Sequence, residues 1–226
     1  LRVLISGVFL SPIAILNRKK FPKKQIKWLM LAAFAGNFIP MFLFPIAETK
    51  VSSSIAGIMN SMMPIFTIIV GALFWKTKTT SRQILGILIS FSGVVLLMIS
   101  GEKSAETPIF YIGLLLFAAF LYAVSVTTVG AKLTHIPAKM MSSFVFFYVL
   151  FLPSLISLYF SNFFNEFTFT NENMIGLGFV ATLSVLGTGL AMMLHYRLMS
   201  VSNPLFASTV TLLMPLVAVM WGVIDG

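Results

Sequence analysis

Asn37 and Asn60 each lie in a run of sequence free of charged residues. A carboxamide carries two donors and an acceptor, so in such a setting each must face protein, water or a ligand. Asn60 precedes Pro64 by four positions, which places both on one helix face beside the carbonyl that a proline leaves unpaired. Tyr122 and Tyr148 fall in the middle of apolar runs, where a phenol offers a stacking face and one directional hydrogen bond. Thr188 and Thr211, with Ser61 and Thr209 as weaker candidates, carry hydroxyls that a helix readily absorbs into its own i−4 carbonyls. His195 is a candidate gate or proton-sensitive group, and Arg197 beside it is read as an anchor to lipid phosphates. Together these residues suit a polar or amphipathic solute. There is no HExxH, no cysteine and no pair of central aspartates, so the sequence argues against an enzyme and implies neither metal nor cofactor.

The elements that must carry these side chains follow from composition. The chain of 226 residues is 58% hydrophobic and 9% charged with a mean hydropathy of +1.01, whereas soluble domains hold roughly 25% charged residues. A helix needs about 20 apolar residues to cross a bilayer. On that criterion spans are predicted near 1–16, 28–47, 51–75, 83–100, 108–130, 139–161, 174–197 and 203–224. A β-barrel would instead show short alternating segments. The net charge of +9 could suit nucleic acid, but the positions of the charges argue against it. Arg18, Lys19, Lys20, Lys23, Lys24 and Lys27 crowd one connector, which reads as a topology signal.

Alternating the connectors between two sides separates the charges. One side holds those six together with Lys76, Lys78, Arg82, Lys132, Lys139 and Arg197; the other holds Lys50 and Lys103. The first side is therefore expected to be cytoplasmic. All six acids, Glu48, Glu102, Glu106, Glu166, Glu172 and Asp225, fall on or next to the other side. No carboxylate reaches mid-depth, which favours downhill transport or exchange over coupling through a buried acid. Gly86, Ser90 and Gly93 form a small-residue stripe suited to helix packing, and the 14 Met read as flexible apolar filler.

Residues 56–71, AGIMNSMMPIFTIIVG, and 207–222, ASTVTLLMPLVAVMWG, share a pattern: Ala56, Met63, Pro64 and Gly71 recur as Ala207, Met214, Pro215 and Gly222, and Gly36 as Gly187. Five predicted crossings separate the copies, an odd number, so they are expected to run in opposite directions as an inverted-topology repeat. Pro64 and Pro215 then become candidate hinges. Two five-helix repeats make a ten-helix plan, of which eight helices are seen: 1–100 as the first repeat, 101–107 as an external connector and 108–226 as the second.

Within that plan, VSSSIAGIMNSMMPIFTIIVGALF and VSNPLFASTVTLLMPLVAVMWGVIDG resemble the fourth and ninth helices of EamA-type members of the drug/metabolite transporter superfamily, and QILGILISFSGVVLLM resembles the fifth. The resemblance implies an all-α polytopic membrane protein of the cell membrane, bacterial inner membrane by expectation. It also implies a secondary transporter that exports amino acids or related metabolites by alternating access around a midplane cavity. Expected partners are a small solute and membrane lipids. Two alternatives are a nucleotide-sugar or phosphorylated-metabolite exchanger, disfavoured because no Lys or Arg lies at mid-depth, and a non-transporting receptor or assembly protein. One departure is visible: EamA-like sequences often place Glu after the glycine-containing helix end, where this chain has Lys76.

Overall fold

The computed structural model describes residues 1–99, 108–161, 163–213 and 220, and among these every regular element is helical. Residues 214–219 and 221–224 of the eighth predicted span, 203–224, lie outside the described residues. The first seven predicted spans coincide with helices: α1 (Arg2–Asn17), α2 (Ile26–Ala33) continuing to α3 (Pro40–Glu48), α4 (Ser53–Asn60) with α5 (Met63–Trp75), α6 (Ser81–Ile99) and α7 (Ile109–Lys132). They are followed by α8 (Ala138–Ser143) with α9 (Phe151–Phe160), a short α10 (Phe163–Glu166), α11 (Asn171–Thr182) with α12 (Ala191–Val201), and α13 (Pro204–Ser208). Among the described residues four continuous rods are long and apolar enough to cross a membrane: Lys23–Glu48, Ile55–Trp75, Ile109–Lys132 and Asn171–Val201. A fifth, Ala138–Val149 with Phe151–Phe160, is bent by 41° at Leu150. Among the described residues α1 has 16 residues, about 24 Å at 1.5 Å per residue, which is short of a hydrocarbon core.

Polarity is distributed as lipid requires. Bulky apolar side chains point outward, with Leu16 79% and Leu73 72% exposed, while Ser6, Ser61, Ser142, Ser143, Ser184 and Ser208 are fully buried. Lipid is as apolar as leucine, so small hydroxyl residues mediate close helix contact and the large ones face the hydrocarbon.

Among the described residues three stretches widen into π-helix: Phe34–Phe38, Phe144–Val149 and Leu183–Leu190. A π turn holds one more residue than an α turn, which disturbs the local ladder and marks functional or packing sites. The first and third centre on Gly36 and Gly187, the pair related by the 151-residue offset. Other local features recur at that offset. Ser52 caps α4 by accepting from the amide of Ile55 at 3.4 Å, and Asn203 caps α13 by accepting from Phe206 at 2.8 Å. Ala56 and Ala207 are both buried, and Met62 and Leu213 both occupy turns.

By packing, the chain divides into two compact units, one comprising Leu1–Phe34 with Lys132–Val201 and the other Ala35–Ala131 with Ser202–Gly226. In the first, Ser6 shares its hydroxyl between the carbonyls of Arg2 at 2.8 Å and Ser184 at 2.7 Å. Ser142 donates to the carbonyl of Gly189 at 3.5 Å, so hydroxyls from α1 and α8 meet the π segment of Leu183–Leu190 from two helices. In the second unit α7 is the central post. Its Leu115 packs with Ala47, Val51 and Ala56, Phe120 meets Phe66 edge-on at 5.9 Å, and Gly130 receives Pro204 in direct contact.

Candidate solute site

Two rods frame the site against α7. Residues 36, 44 and 47 of one rod meet 125, 122 and 115 of α7, so these run antiparallel. Phe66 and Gly71 of α5 meet Phe120 and Thr127, so α5 runs parallel to α7. This is the sense that alternate crossing requires for spans separated by an odd and an even number of steps.

Asn37 stands in the π segment beside Gly36, whose Cα approaches Ser125 so closely that a Cβ there would lie 2.7 Å from the Ser125 Cβ and clash with its hydroxyl. The amide nitrogen of Asn37 is buried and makes no hydrogen bond. One turn along α7 from Ser125, the half-buried Tyr122 ring lies 6.0 Å from Phe44 at 34°. A buried donor and an aromatic face therefore lie on facing helices. Such a pair can bind an acceptor and a flat or apolar body together.

The remaining residues of this unit fill other roles. Ser61, fully buried, donates to the Gly57 carbonyl at 2.8 Å, and Thr211 donates to Ser208 at 2.8 Å in a 3-10 turn, Thr209–Leu212. Thr209 donates to Phe206 at 2.7 Å. These hydroxyls serve their own helices, the ordinary use of Ser and Thr in an apolar setting. Asn60 ends α4, and the chain turns at Ser61 and Met62 before α5 begins. Pro64 falls in the first turn of α5, where its missing amide hydrogen is harmless, so it follows a break between two helices instead of kinking one. Pro215 lies outside the described residues. Lys76 ends α5 in the left-handed conformation, φ 51°, folding Thr77 back so that its amide donates to the Gly71 carbonyl at 3.1 Å.

The first unit holds the other candidates. Tyr148 is 45% exposed and sits between Phe144 at 4.9 Å and Phe147 at 5.1 Å. Thr188 is buried, its hydroxyl 3.5 Å from the Leu183 carbonyl. His195 is half-buried, its ring 6.3 Å from that of Tyr196, and Arg197 is exposed. Sequence reasoning missed Ser6, Ser142 and Ser184, whose interhelical contacts carry no local signature. It also missed Ser154, buried with an unbonded hydroxyl. Proline one position before Ser154 was the one available signal of an irregular helix there.

Residues 1–99 match the EamA-like transporter family. An uncharacterized transporter from Archaeoglobus fulgidus is 29% identical over 133 residues, covering 59% of this chain and 46% of that protein. The uncharacterized transporter YdfC of Bacillus subtilis is 32% identical over 97 residues, covering 42% of this chain and 32% of that protein. The matched stretch thus spans less than half the length of either relative. Helical rods clad in apolar side chains and a match that takes in α1 through α6 agree: this chain is an all-helical, multi-pass membrane protein whose residues 1–99 are similar to the EamA-like transporter family.

Proposed function

We propose that the full-length protein is a secondary transporter of small organic metabolites, amino acids foremost, working by alternating access between two inverted five-helix repeats. The observation that carries this reading is the buried, unbonded amide nitrogen of Asn37 in a widened turn, one helix away from the half-buried ring of Tyr122. A carboxylate or carbonyl of the solute would accept from Asn37 while its side chain lies on Tyr122 and Phe44. Recurrence of π segments, helix caps and turns at one 151-residue offset supports the repeat. The basic connectors are placed at the cytoplasmic face, and the compartment at a bacterial inner membrane.

The test is flux. Full-length protein in proteoliposomes is screened by thermal shift against amino acids, nucleosides and organic cations, because a ligand at about 100 times its Kd stabilises the fold by about 2.7 kcal/mol. An amino acid is expected to raise the melting temperature of the wild type and to be transported, with both effects lost in Asn37→Leu and reduced in Tyr122→Phe. Normal flux in Asn37→Leu would remove this site; stabilisation by nucleosides alone would replace the solute class.

A further inference from the structure

We propose that the end of the first unit carrying the 18–27 connector is a binding site for an anionic phospholipid. This rests on surface chemistry independent of the transport reading. Eight cations converge there: Arg18, Lys19, Lys20, Lys23, Lys24 and Lys27 from the connector, with Lys132 and Lys139 from the next one, all of them exposed. The two connectors meet at Trp28, whose ring lies 5.0 Å from the Lys27 ammonium and 5.8 Å from that of Lys132. Among the described residues neither connector holds an acid, and Glu172 of this unit opens α11 beyond the far end of α9.

The patch is held in shape. Phe21, at the centre of the basic run, is buried and stacks on Phe144 at 4.5 Å and 18°. A 3-10 turn at Lys23–Gln25 closes with the Gln25 amide donating to the Pro22 carbonyl at 2.9 Å. Leu133 and Ile136 pin the second connector in the same way, both buried. Ordering eight like charges within two short connectors costs self-repulsion, which a bound anion relieves.

What selects a lipid over a free anion is the apolar surface on either side. Ile15 and Leu16 lie just before the basic run, Ile26 within its last turn and Met30 and Leu31 after it, and all five are exposed. A ligand with a phosphate head and acyl chains satisfies both surfaces at once, the chains lying along α1 and α2 and the head among the lysines. An indole at the junction suits the headgroup level.

The experiment uses the purified full-length protein in nanodiscs of phosphatidylcholine alone or mixed with phosphatidylglycerol, where both faces are accessible and insertion topology plays no part. Lipid retained on extraction is counted by native mass spectrometry and the melting temperature is recorded. Phosphatidylglycerol is expected to be retained and to raise the melting temperature. Each lysine near an anionic headgroup contributes about a fivefold change in affinity, so the quadruple variant Lys19→Gln, Lys20→Gln, Lys23→Gln, Lys24→Gln is expected to lose retention more than a hundredfold. Phe21→Ala, which keeps every charge but frees the connector, is expected to weaken retention as well. Retention unchanged in the quadruple variant overturns the site, as does unchanged retention in Phe21→Ala. Stabilisation by inorganic phosphate equal to that by phosphatidylglycerol would also overturn it, identifying a soluble-anion site. If the quadruple variant does not fold, the wild type decides: retention that does not fall as salt rises overturns the proposal.

Discussion

The π segments at Phe34–Phe38 and Leu183–Leu190 stand at corresponding positions in the sequence yet are sustained differently. At the second, hydroxyls reach the widened turn from outside it: Ser6 of α1 bonds the Ser184 carbonyl and Ser142 of α8 the Gly189 carbonyl. Its own Ser184 and Thr188 donate back along the helix. At the first, the second unit brings Ser125 against Gly36, and the amide nitrogen of Asn37 is left buried without a partner. A widened turn whose polar groups are saturated is a packing element, whereas one that keeps an unmet donor has something to offer a solute. The same backbone device thus has its polar groups met in one place and keeps an unmet donor in the other, where the proposed solute site lies.

The largest test of this contrast is at the glycines. Gly36→Ala is expected to cost about 1–3 kcal/mol, because the new methyl meets Ser125 at its Cβ and hydroxyl on a packed neighbouring helix. Gly187→Ala meets only the end of the Leu183 side chain, at 2.8 Å, which can rotate away. It is expected to be neutral or to stabilise by up to about 1 kcal/mol through helix propensity. Thermal unfolding in detergent reads both, and equal losses would erase the distinction.

Next in size is the hydroxyl support. Ser6→Ala leaves the Ser184 carbonyl without its interhelical donor and is expected to lower stability by about 1 kcal/mol, while Ser142→Ala, whose bond is 3.5 Å long, costs less. The reverse ranking would mean that α8, not α1, supports the segment.

The smallest effect is the most diagnostic. Asn37→Leu removes an unbonded buried donor, so its melting temperature is expected to stay level or rise slightly even as flux is lost. A marked fall would reassign Asn37 to packing.

Much of this was legible in the residues. Apolar runs gave the rods to within a few residues, since partition into a bilayer is a sum over about 20 neighbours and needs no knowledge of the rest of the chain. Caps were equally local: Ser52 and Asn203 each bond an amide three residues on. Pro64, a candidate hinge, stands in the first turn of α5 and not in mid-helix. The hydroxyls of Thr211 and Ser61, candidates for the solute site, bond within their own helices, and Tyr148, another candidate, is 45% exposed within an aromatic run.

By itself the sequence determined that the chain enters a membrane, where its helices start and stop, and which segments resemble each other, all of which depend on short-range hydropathy and backbone chemistry. Only the tertiary structure decided which helices widen and which polar atoms meet. Ser6 and Ser184 are 178 positions apart, and a glycine marks close approach only once the facing residue is known to be Ser125. The physical reason is that partition free energy accumulates along the chain, whereas a hydrogen bond or a steric contact exists only between particular atoms brought within a few ångströms of each other by packing.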